Sequence, residues 1–536
     1  MSKYTQVTID RSSLAKEEQF CSEILKNRIK ERIGDFSEAG KKLDITLKTE
    51  KSLAQESYRI VSKSGTVQIA GGDRLGVIFG IGKFLRKLQY RTGKFTCGNY
   101  ELASSPQASL RQAYFATHFH NWYHMATDKE LERYIEDLAL WGINSIHTIV
   151  IPVINLDDKW DSPEIEERFQ KFDKMCRLIK RMGMKVGGGG FVNQSFRNAP
   201  KEFYAVPNTD PARGNNGINL CPERPGAHEY IMKNFETYIK RLAKFPVDLY
   251  RFWPYDEGGC DCEKCSPWGG RGFLKLSKEM MAMVKQYLPN AKIILSTWTF
   301  HDDEWANLDE YLKKENWIDY VLADAHGNYP EYPLNHTLKG VKLINFPEIS
   351  MWGRFPWGGY GATPLAGRFS MLWQQVRGKI DGGSMYSEGI YEDINKIVVS
   401  QLYWDAAADT NDVLREYASY ELSGIPEEEF LELARLLEAN HLLEPEDAGK
   451  ARQAAKLAHE IMLGLDKKIL PPLKDSWRWR LFVCRAILDY EHFVKNDPCS
   501  KESIAALQEL VDLYRSEQNA GDYNDPMHSA IRPKLN

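Results

Sequence analysis

Eight short apolar segments alternate with longer helical segments between residues 109 and 405, and this alternation constrains the fold more than any other feature. The predicted strands are Arg111–Ala116, Ser145–Ile151, Lys185–Phe191, Asp248–Tyr255, Lys292–Trp298, Tyr320–Ala325, Lys342–Pro347 and Ser384–Ser387. The predicted helices between them include Asp128–Trp141, Pro163–Met182, Ala227–Lys244, Gly272–Tyr287 and Asp302–Leu312. Alternating strands and helices indicate βαβ units with a parallel sheet. Eight such units predict an α/β fold, the closed (β/α)₈ barrel.

The sequence on either side of the barrel has a different pattern. Residues 1–105 combine predicted strands with two helices, the second capped by Asp73, and form an N-terminal α+β domain. Residues 106–407 form the barrel, and residues 408–536 form a C-terminal α-helical domain. The helices predicted there are Val413–Leu422, Glu427–Ala439, Asp447–Leu465, Asp475–Phe493 and Lys501–Ser516.

Charge and hydropathy exclude several classes of partner. The net charge of -4 gives no basic field for nucleic acid, so we expect no nucleic-acid partner. No apolar stretch approaches the roughly 18 residues of a membrane span, and the first residues lack a signal-peptide core. We therefore expect a cytoplasmic protein without a membrane partner. The sequence does not indicate an oligomeric state.

One segment, residues 250–265, combines an aromatic strand with two adjacent carboxylates and a glycine-cysteine loop. Adjacent strand residues point to opposite faces, so Asp256 and Glu257 can share a pocket only where the strand ends. The following Gly258-Gly259 pair allows the chain to turn there. A carboxyl group beside another and near aromatic rings ionises less readily, which suits a proton donor. We predict that Asp256 and Glu257 are the catalytic residues.

Polar and aromatic residues also follow the other predicted strands, where a barrel enzyme carries its active site. The 14 Trp and 26 Tyr suit surfaces that stack flat ligands or sugar rings. The charge balance favours a small or uncharged molecule as the partner. The candidate substrate-binding residues at strand ends are His118, His120, Asn193, Trp298, Asp324, His326, Glu348, Trp352, Tyr386 and Glu388.

The chain resembles glycoside hydrolase family 20 and its relatives, which include β-N-acetylgalactosaminidases and endo-acting family 163 enzymes. The resemblance depends on the helix motif at residues 73–81 in a small α+β domain, followed by a barrel with Asp-Glu after its fourth strand. It covers the first two domains. The sequence differs from the family because Trp253-Pro254-Tyr255 replaces the histidine-glycine-glycine that precedes Asp-Glu there.

The resemblance implies a retaining hydrolase for β-linked N-acetylhexosaminides, in which the substrate's own 2-acetamido oxygen attacks the anomeric carbon. Glu257 would protonate the leaving oxygen, and Asp256 would orient the acetamido N–H and stabilise the oxazolinium ion. Arg111 would grip sugar hydroxyls, and the walls of the site would include Trp298, Trp352, Trp373 and Tyr386. Catalysis requires no cofactor in this scheme.

Two alternatives remain open from the sequence. Glu257 could act with Glu348 or Glu388 as acid/base and nucleophile of a two-glutamate β-glycosidase, which needs no acetamido group. The barrel could also bind carbohydrate without catalysis, because fold does not fix function.

Three of the nine cysteines, Cys260, Cys262 and Cys265, fall in the loop after the carboxylate pair. Cys221 precedes them and could complete a tetrahedral zinc site. Four thiolates leave no open coordination position, so such a zinc would be structural. The alternative is a set of reduced thiols that pack a tight loop.

Overall fold

The computed structural model describes residues 2–117, 122–149, 160–210, 213, 217–255, 258–323, 329–349, 363–387, 389–390, 393–441 and 445–514. Within these residues, no helix is both long and apolar enough to cross a membrane.

The N-terminal part is an α+β unit. Its elements are β1 (Ser2–Tyr4), β2 (Gln6–Ser13), α1 (Phe20–Ile33), β3 (Lys42–Thr49), β4 (Tyr58–Lys63), β5 (Thr66–Gly71), α2 (Arg74–Lys87), β6 (Gln89–Arg91), β7 (Lys94–Cys97) and β8 (Tyr100–Ser104). The five-stranded sheet has the order β2-β3-β5-β4-β8, and a second sheet has the order β1-β7-β6. The prediction began the first helix at Leu14, but Lys16–Glu18 forms a separate 3-10 turn before it.

Helix α2 joins this unit to the barrel. Its N-cap is Asp73, whose side chain accepts a hydrogen bond from the Gly76 N–H at 2.8 Å, as the sequence predicts. A Cβ at Gly82 would lie only 1.9 Å from the carbonyl oxygen of Leu140. Glycine therefore lets α2 pack directly against the end of a barrel helix.

The eight predicted strands all form, and they close into a parallel barrel. The strands of this region are β9 (Leu110–Phe115), β10 (Ser145–Thr148), β11 (Lys185–Phe191), β12 (Gln194–Ser195), β13 (Ile218–Asn219), β14 (Leu249–Trp253), β15 (Lys292–Ser296), β16 (Tyr320–Ala323), β17 (Lys342–Asn345) and β18 (Gly382–Ser387). β12 and β13 form a separate two-stranded sheet, and the other strands follow one another around the barrel in chain order. β14 ends at Trp253 because Pro254 has no N–H to donate to a neighbouring strand.

Helices surround the barrel. They are α3 (Trp122–Met125), α4 (Asp128–Leu140), α5 (Pro163–Met182), α6 (Ala227–Leu242), α7 (Gly272–Tyr287), α8 (Asp302–Lys314), α9 (Glu331–Asn335), α10 (Ala366–Val376) and α11 (Asp393–Trp404). The prediction gave the bounds of α5 and α7 as the structure has them, but it missed α10 and α11. Almost every residue of α11 is buried, so its sequence lacks the apolar stripe by which a surface helix is recognised.

The C-terminal part is helical, as predicted. Its helices are α12 (Thr410–Glu421), α13 (Glu427–Ala439), α14 (Ala448–Asp466), α15 (Pro471–Lys474), α16 (Trp477–Asp489), which continues as a π-helical turn at Tyr490–Val494, and α17 (Lys501–Tyr514). Buried Arg478 on α16 forms ion pairs with Asp137 at 3.0 Å and Asp393 at 2.8 Å. These two carboxylates lie on barrel helices, so the ion pairs fix the helical part against the barrel.

Candidate active site and cysteine cluster

The chain turns sharply after β14. A Cβ at Gly258 would lie 2.6 Å from the carbonyl oxygen of Pro254, and Gly259 has a φ of +127°. Both positions therefore require glycine, which agrees with the role that the sequence predicts for the Gly-Gly pair. The predicted catalytic residues, Asp256 and Glu257, lie outside the described residues, between Tyr255 and Gly258.

The residue before the predicted pair, Tyr255, is buried and held by its hydroxyl group. The hydroxyl donates a hydrogen bond to the Glu304 carboxylate and accepts one from the Gly269 N–H at 2.9 Å. It also accepts a hydrogen bond from Arg213 Nη1 at 2.8 Å. Burial, with the nearby Glu304 charge, raises the pKa of Tyr255 well above its ordinary value. The hydroxyl therefore stays protonated and remains a donor.

The residues after the predicted pair are held by Asn193, which follows β11. Asn193 Oδ1 accepts a hydrogen bond from the Gly259 N–H at 3.1 Å. Its Nδ2 donates to the carbonyl oxygens of Gly259 at 2.8 Å and Leu220 at 2.9 Å. The chain is thus fixed on both sides of the Asp256-Glu257 dipeptide.

Aromatic rings pack against one another at the carboxyl ends of the barrel strands. Trp253 stacks on Trp298 with 5.7 Å between ring centroids, and Phe346 contacts both rings edge-on. Phe346 also lies 5.5 Å from Tyr386, which stacks on Tyr114 at 5.4 Å. We call these five residues the aromatic cluster. It joins three strands, β9, β14 and β18, with the ends of β15 and β17.

A buried arginine lies beneath the aromatic cluster. Arg251 Nη2 donates hydrogen bonds of 2.7 Å to Gln112 Oε1 and to Ser384 Oγ, while Arg251 Nε and Nη1 have no hydrogen-bond partner among the described residues. Its guanidinium lies 5.2 Å from the centre of the Tyr114 ring and 5.6 Å from that of Phe346. Burial lowers the pKa of Arg251 to about 10, so it is still charged at neutral pH.

Glu348, from the two-glutamate alternative, lies at the same end of the barrel. Its backbone forms a β-bridge with Tyr386, next to the end of β17. The Ile349 N–H donates to the Tyr386 carbonyl at 3.0 Å, which extends the pairing of β17 and β18 beyond Asn345. Glu348 and Tyr386 are both largely buried.

The structure therefore brings Trp298, Glu348 and Tyr386 together at the end of the barrel where the sequence predicts the active site. Their role in binding substrate stays a prediction. The other candidates lie outside the described residues: His118, His120, Asp324, His326, Trp352 and Glu388.

The prediction that Arg111 grips sugar hydroxyls is wrong. Arg111 is the second residue of β9, so it lies at the opposite end of the barrel. Its guanidinium donates to the carbonyl oxygens of Gly142 at 2.6 Å and Ala108 at 2.7 Å, and pairs with Glu56 at 2.6 Å. Arg111 thus joins the N-terminal unit to the barrel.

Two more candidate substrate-binding residues have structural positions. Trp373 packs in the outer helical layer, where its Nε1 donates to the Ala406 carbonyl at 3.1 Å and its ring meets Tyr403 of α11. It is therefore not a wall of the site. The Asn193 side chain is fully buried, and its hydrogen bonds go to backbone groups of Leu220 and Gly259. It therefore positions a loop instead of contacting sugar.

The four predicted metal ligands lie together. The Sγ atoms of Cys221, Cys260, Cys262 and Cys265 are all within 4.8 Å of one another. Cys221 Sγ lies 3.6 Å from that of Cys262 and 3.9 Å from that of Cys265, and all four cysteines are free. A hydrogen bond from Cys265 lowers the pKa of Cys260 to about 5, whereas burial raises the pKa of Cys221 to about 12. One thiolate is therefore favoured inside the cluster.

Arg251 and Glu304 were not predicted to be parts of the site. The signal for Arg251 was a charged residue inside an otherwise apolar strand, where it must either face the barrel interior or be paired. Glu304 gives no such signal because it lies in the acidic first turn of α8, where exposed carboxylates are common.

No protein-family model matches the sequence, and no curated protein matches it. Solved structures do match. A mutant β-hexosaminidase from Streptomyces plicatus in complex with its product GlcNAc is 14% identical, with a TM-score of 0.51 over 78% of this chain and 91% of that chain. A family GH115 4-O-methyl-α-glucuronidase with specificity for decorated arabinogalactans is 10% identical, with a TM-score of 0.61 over 100% and 79%. A GH138 enzyme targeting pectin rhamnogalacturonan II is 12% identical, with a TM-score of 0.56 over 95% and 74%.

The chain has the barrel fold of these glycoside hydrolases. The structural match, with TM-scores of 0.51 to 0.61, shows the fold alone, and sequence identities of 10% to 14% leave the substrate open.

Proposed function

We propose that the protein is a retaining glycoside hydrolase that cleaves β-linked N-acetylhexosaminides of the GlcNAc or GalNAc type, with Asp256 and Glu257 as its catalytic pair. The observation that carries the proposal is that hydrogen bonds fix the chain on both sides of this pair. Buried hydrogen bonds hold Tyr255 on one side and Gly259 on the other, where the fourth barrel strand ends. Barrel enzymes carry their chemistry at this end.

The proposed reaction has two steps. The acetamido oxygen of the substrate attacks the anomeric carbon, the glycosidic bond breaks, and the leaving oxygen takes a proton from Glu257. Asp256 accepts a hydrogen bond from the acetamido N–H and stabilises the positive oxazolinium ring. Water, deprotonated by Glu257, then opens the ring and restores the β-configured sugar. A fixed carboxylate stabilises this developing charge more than it stabilises the neutral substrate.

The aromatic cluster supports a carbohydrate substrate. Trp253 is half-buried, and it stacks on Trp298 where the fourth and fifth strands end. Indole and phenol rings bind the apolar faces of sugars and exclude water, which strengthens electrostatic interactions with the reacting centre.

The proposal is tested with nitrophenyl and methylumbelliferyl glycosides and with an alkyl β-N-acetylhexosaminide, whose leaving group needs an acid. Glu257→Gln should lower kcat on the alkyl substrate by about 10²- to 10⁴-fold, the usual contribution of a general acid. Asp256→Asn should slow every N-acetylhexosaminide. The matched control is Glu263→Gln, because Glu263 is an exposed acid of the same loop. Wild-type turnover by Glu257→Gln would refute the assignment.

Substrate assistance predicts strict dependence on the 2-acetamido group. The enzyme should hydrolyse β-GlcNAc or β-GalNAc substrates, spare the β-glucoside and β-galactoside, and bind a thiazoline analogue of the oxazolinium ion. Glucuronides complete the panel because a protein of the same fold is an α-glucuronidase.

The position of Glu348 favours one alternative, a two-glutamate β-glycosidase. Glu348 follows the seventh strand at the same end of the barrel as the aromatic cluster. In that scheme, Glu348→Gln abolishes turnover of the plain β-glycoside, and the thiazoline has no effect. Binding of the sugars without release of nitrophenol would instead indicate a carbohydrate-binding barrel.

A further inference from the structure

We propose that Cys221, Cys260, Cys262 and Cys265 bind one Zn²⁺ ion in a structural site that fixes the loop after β14. Their four Sγ atoms lie within 4.8 Å of one another. The inference does not depend on the substrate or on hydrolase activity.

The sulfur separations fit a tetrahedral metal site. Zn–S bonds of about 2.3 Å place the sulfurs of a tetrahedron roughly 3.8 Å apart. The distances from Cys221 Sγ to Cys262 Sγ and to Cys265 Sγ are 3.6 Å and 3.9 Å. A disulfide needs about 2.05 Å, so the four thiols converge without pairing.

The cysteine side chains are shielded from solvent. Cys221, Cys260 and Cys265 are buried, so solvent does not compete for the ligand positions.

Binding releases the thiol protons, and the four thiolates with Zn²⁺ carry a net charge of -2. All four positions of the tetrahedron are then filled, so the ion has no open position for water or substrate and acts as a cross-link. It joins Cys221, which follows β13, to three residues of the loop that begins at Gly258. Asn193 makes a second link across the same gap through Leu220 and Gly259.

The first test is the metal content of the full-length protein, purified without chelator and measured by plasma mass spectrometry. We expect about one zinc per chain. A value below a tenth of an equivalent, unchanged after incubation with ZnCl₂ under reducing conditions, would overturn the proposal, as would stoichiometric iron. Replacement by Co²⁺ should give the thiolate-to-cobalt charge-transfer bands of tetrahedral sulfur coordination; octahedral cobalt spectra would also overturn it.

The second test uses variants. Cys265→Ser and Cys221→Ser should lose most of the zinc, whereas Cys484→Ser should retain it, since Cys484 is a buried cysteine of α16 far along the chain from the cluster. Retention of zinc by both cluster variants would contradict the assignment. If these variants fail to fold, the cobalt spectrum of the wild-type protein still decides.

The outcome for zinc is separate from the outcome for hydrolysis. A chain that holds zinc but ignores every N-acetylhexosaminide keeps the metal site and loses the proposed function. An active chain without zinc would support the proposed function and overturn the metal site.

Discussion

Asn193 clamps both backbone groups of Gly259: its Oδ1 accepts from the Gly259 N–H at 3.1 Å, and its Nδ2 donates to the Gly259 carbonyl at 2.8 Å. The same Nδ2 also donates to the Leu220 carbonyl at 2.9 Å. One side chain from the end of the third barrel strand thus sets the path of the chain two residues after Glu257. The sequence analysis gave Asn193 a role in sugar binding, and the structure replaces it with this positioning role.

We expect Asn193→Ala to lower kcat for the N-acetylhexosaminide without a matching rise in KM, because Gly259, close to the proposed acid pair, loses the hydrogen bonds that fix it, while the proposed aromatic walls of the site are unchanged. Loss of the hydrogen bonds should also lower the free energy of unfolding by about 1–3 kcal/mol. Steady-state kinetics and urea unfolding on the same preparation measure both effects.

The matched control for this prediction is Asn144→Ala. Asn144 is also fully buried, but it lies at the other end of the barrel. Its Nδ2 donates to Glu56 and to the Ser109 carbonyl, and its Oδ1 accepts a hydrogen bond from the Arg111 N–H. It should lose comparable stability and keep its kcat. Equal loss of kcat in both variants would mean that the effect of Asn193 is only structural.

Tyr255→Phe should destabilise the fold by about 1–3 kcal/mol, because the buried Glu304 carboxylate loses a donor, while Arg213 and the Gly269 N–H lose an acceptor. The measurement is urea unfolding of the variant against wild type. The control is Tyr250→Phe, which removes the hydroxyl of another buried tyrosine, on β14. Similar small effects of the two substitutions would contradict the importance of this network.

Arg111→Met should lower the free energy of unfolding and leave KM unchanged. The substitution removes the arginine from the ion pair with Glu56, and loss of one member of a buried pair costs about 3–5 kcal/mol. KM should not change at temperatures where the variant is folded, because Arg111 lies at the end of the barrel away from the site. The double variant Glu56→Gln/Arg111→Met should recover part of the stability. A large rise in KM with unchanged stability would restore the sugar-binding role that the family resemblance implies.

The fold was predictable from the sequence because its signals are local. Alternating strands and helices show the eight barrel units, and Asp73, Pro163 and Gly183 show where α2 and α5 begin or end. Helix α11 was missed for the opposite reason: it is buried on almost all sides and its buried residues include polar ones, so apolar and polar residues do not separate onto two faces with a helical period.

The site was less predictable because it depends on contacts between distant residues. The aromatic residues and Glu348 could be placed by their positions after strands. Arg111 was misplaced because the resemblance assigned its role, although its position at the start of the predicted strand indicates the end of the barrel away from the site. The hydrogen bond from Tyr255 to Glu304 also gave no pattern in the sequence, since the two residues are 49 positions apart. The cysteine cluster was predictable in part, because three of its members lie within six residues of the sequence.

Arg251→Met tests whether the buried charge beneath the aromatic cluster serves activity. No carboxylate of the described residues forms an ion pair with Arg251, so its burial is costly to the fold, and an apolar replacement of similar length removes that cost. Gln112 and Ser384 still hydrogen bond to each other at 2.8 Å when the guanidinium is gone. We therefore expect an unchanged or higher free energy of unfolding together with a loss in kcat/KM of about tenfold or more, the pattern of a residue kept for function at the expense of stability.

Urea unfolding and steady-state kinetics on the N-acetylhexosaminide measure the two quantities for Arg251→Met. Arg251→Lys is the matched variant, because it keeps the positive charge and loses only the planar fork that reaches both Gln112 and Ser384. Activity closer to wild type in the lysine variant than in the methionine variant assigns the effect to charge. A destabilisation of several kcal/mol in Arg251→Met, with kcat/KM unchanged in the folded protein, would instead make Arg251 a structural residue of the barrel interior, because the hydrogen bonds it donates would then outweigh the cost of burying its charge.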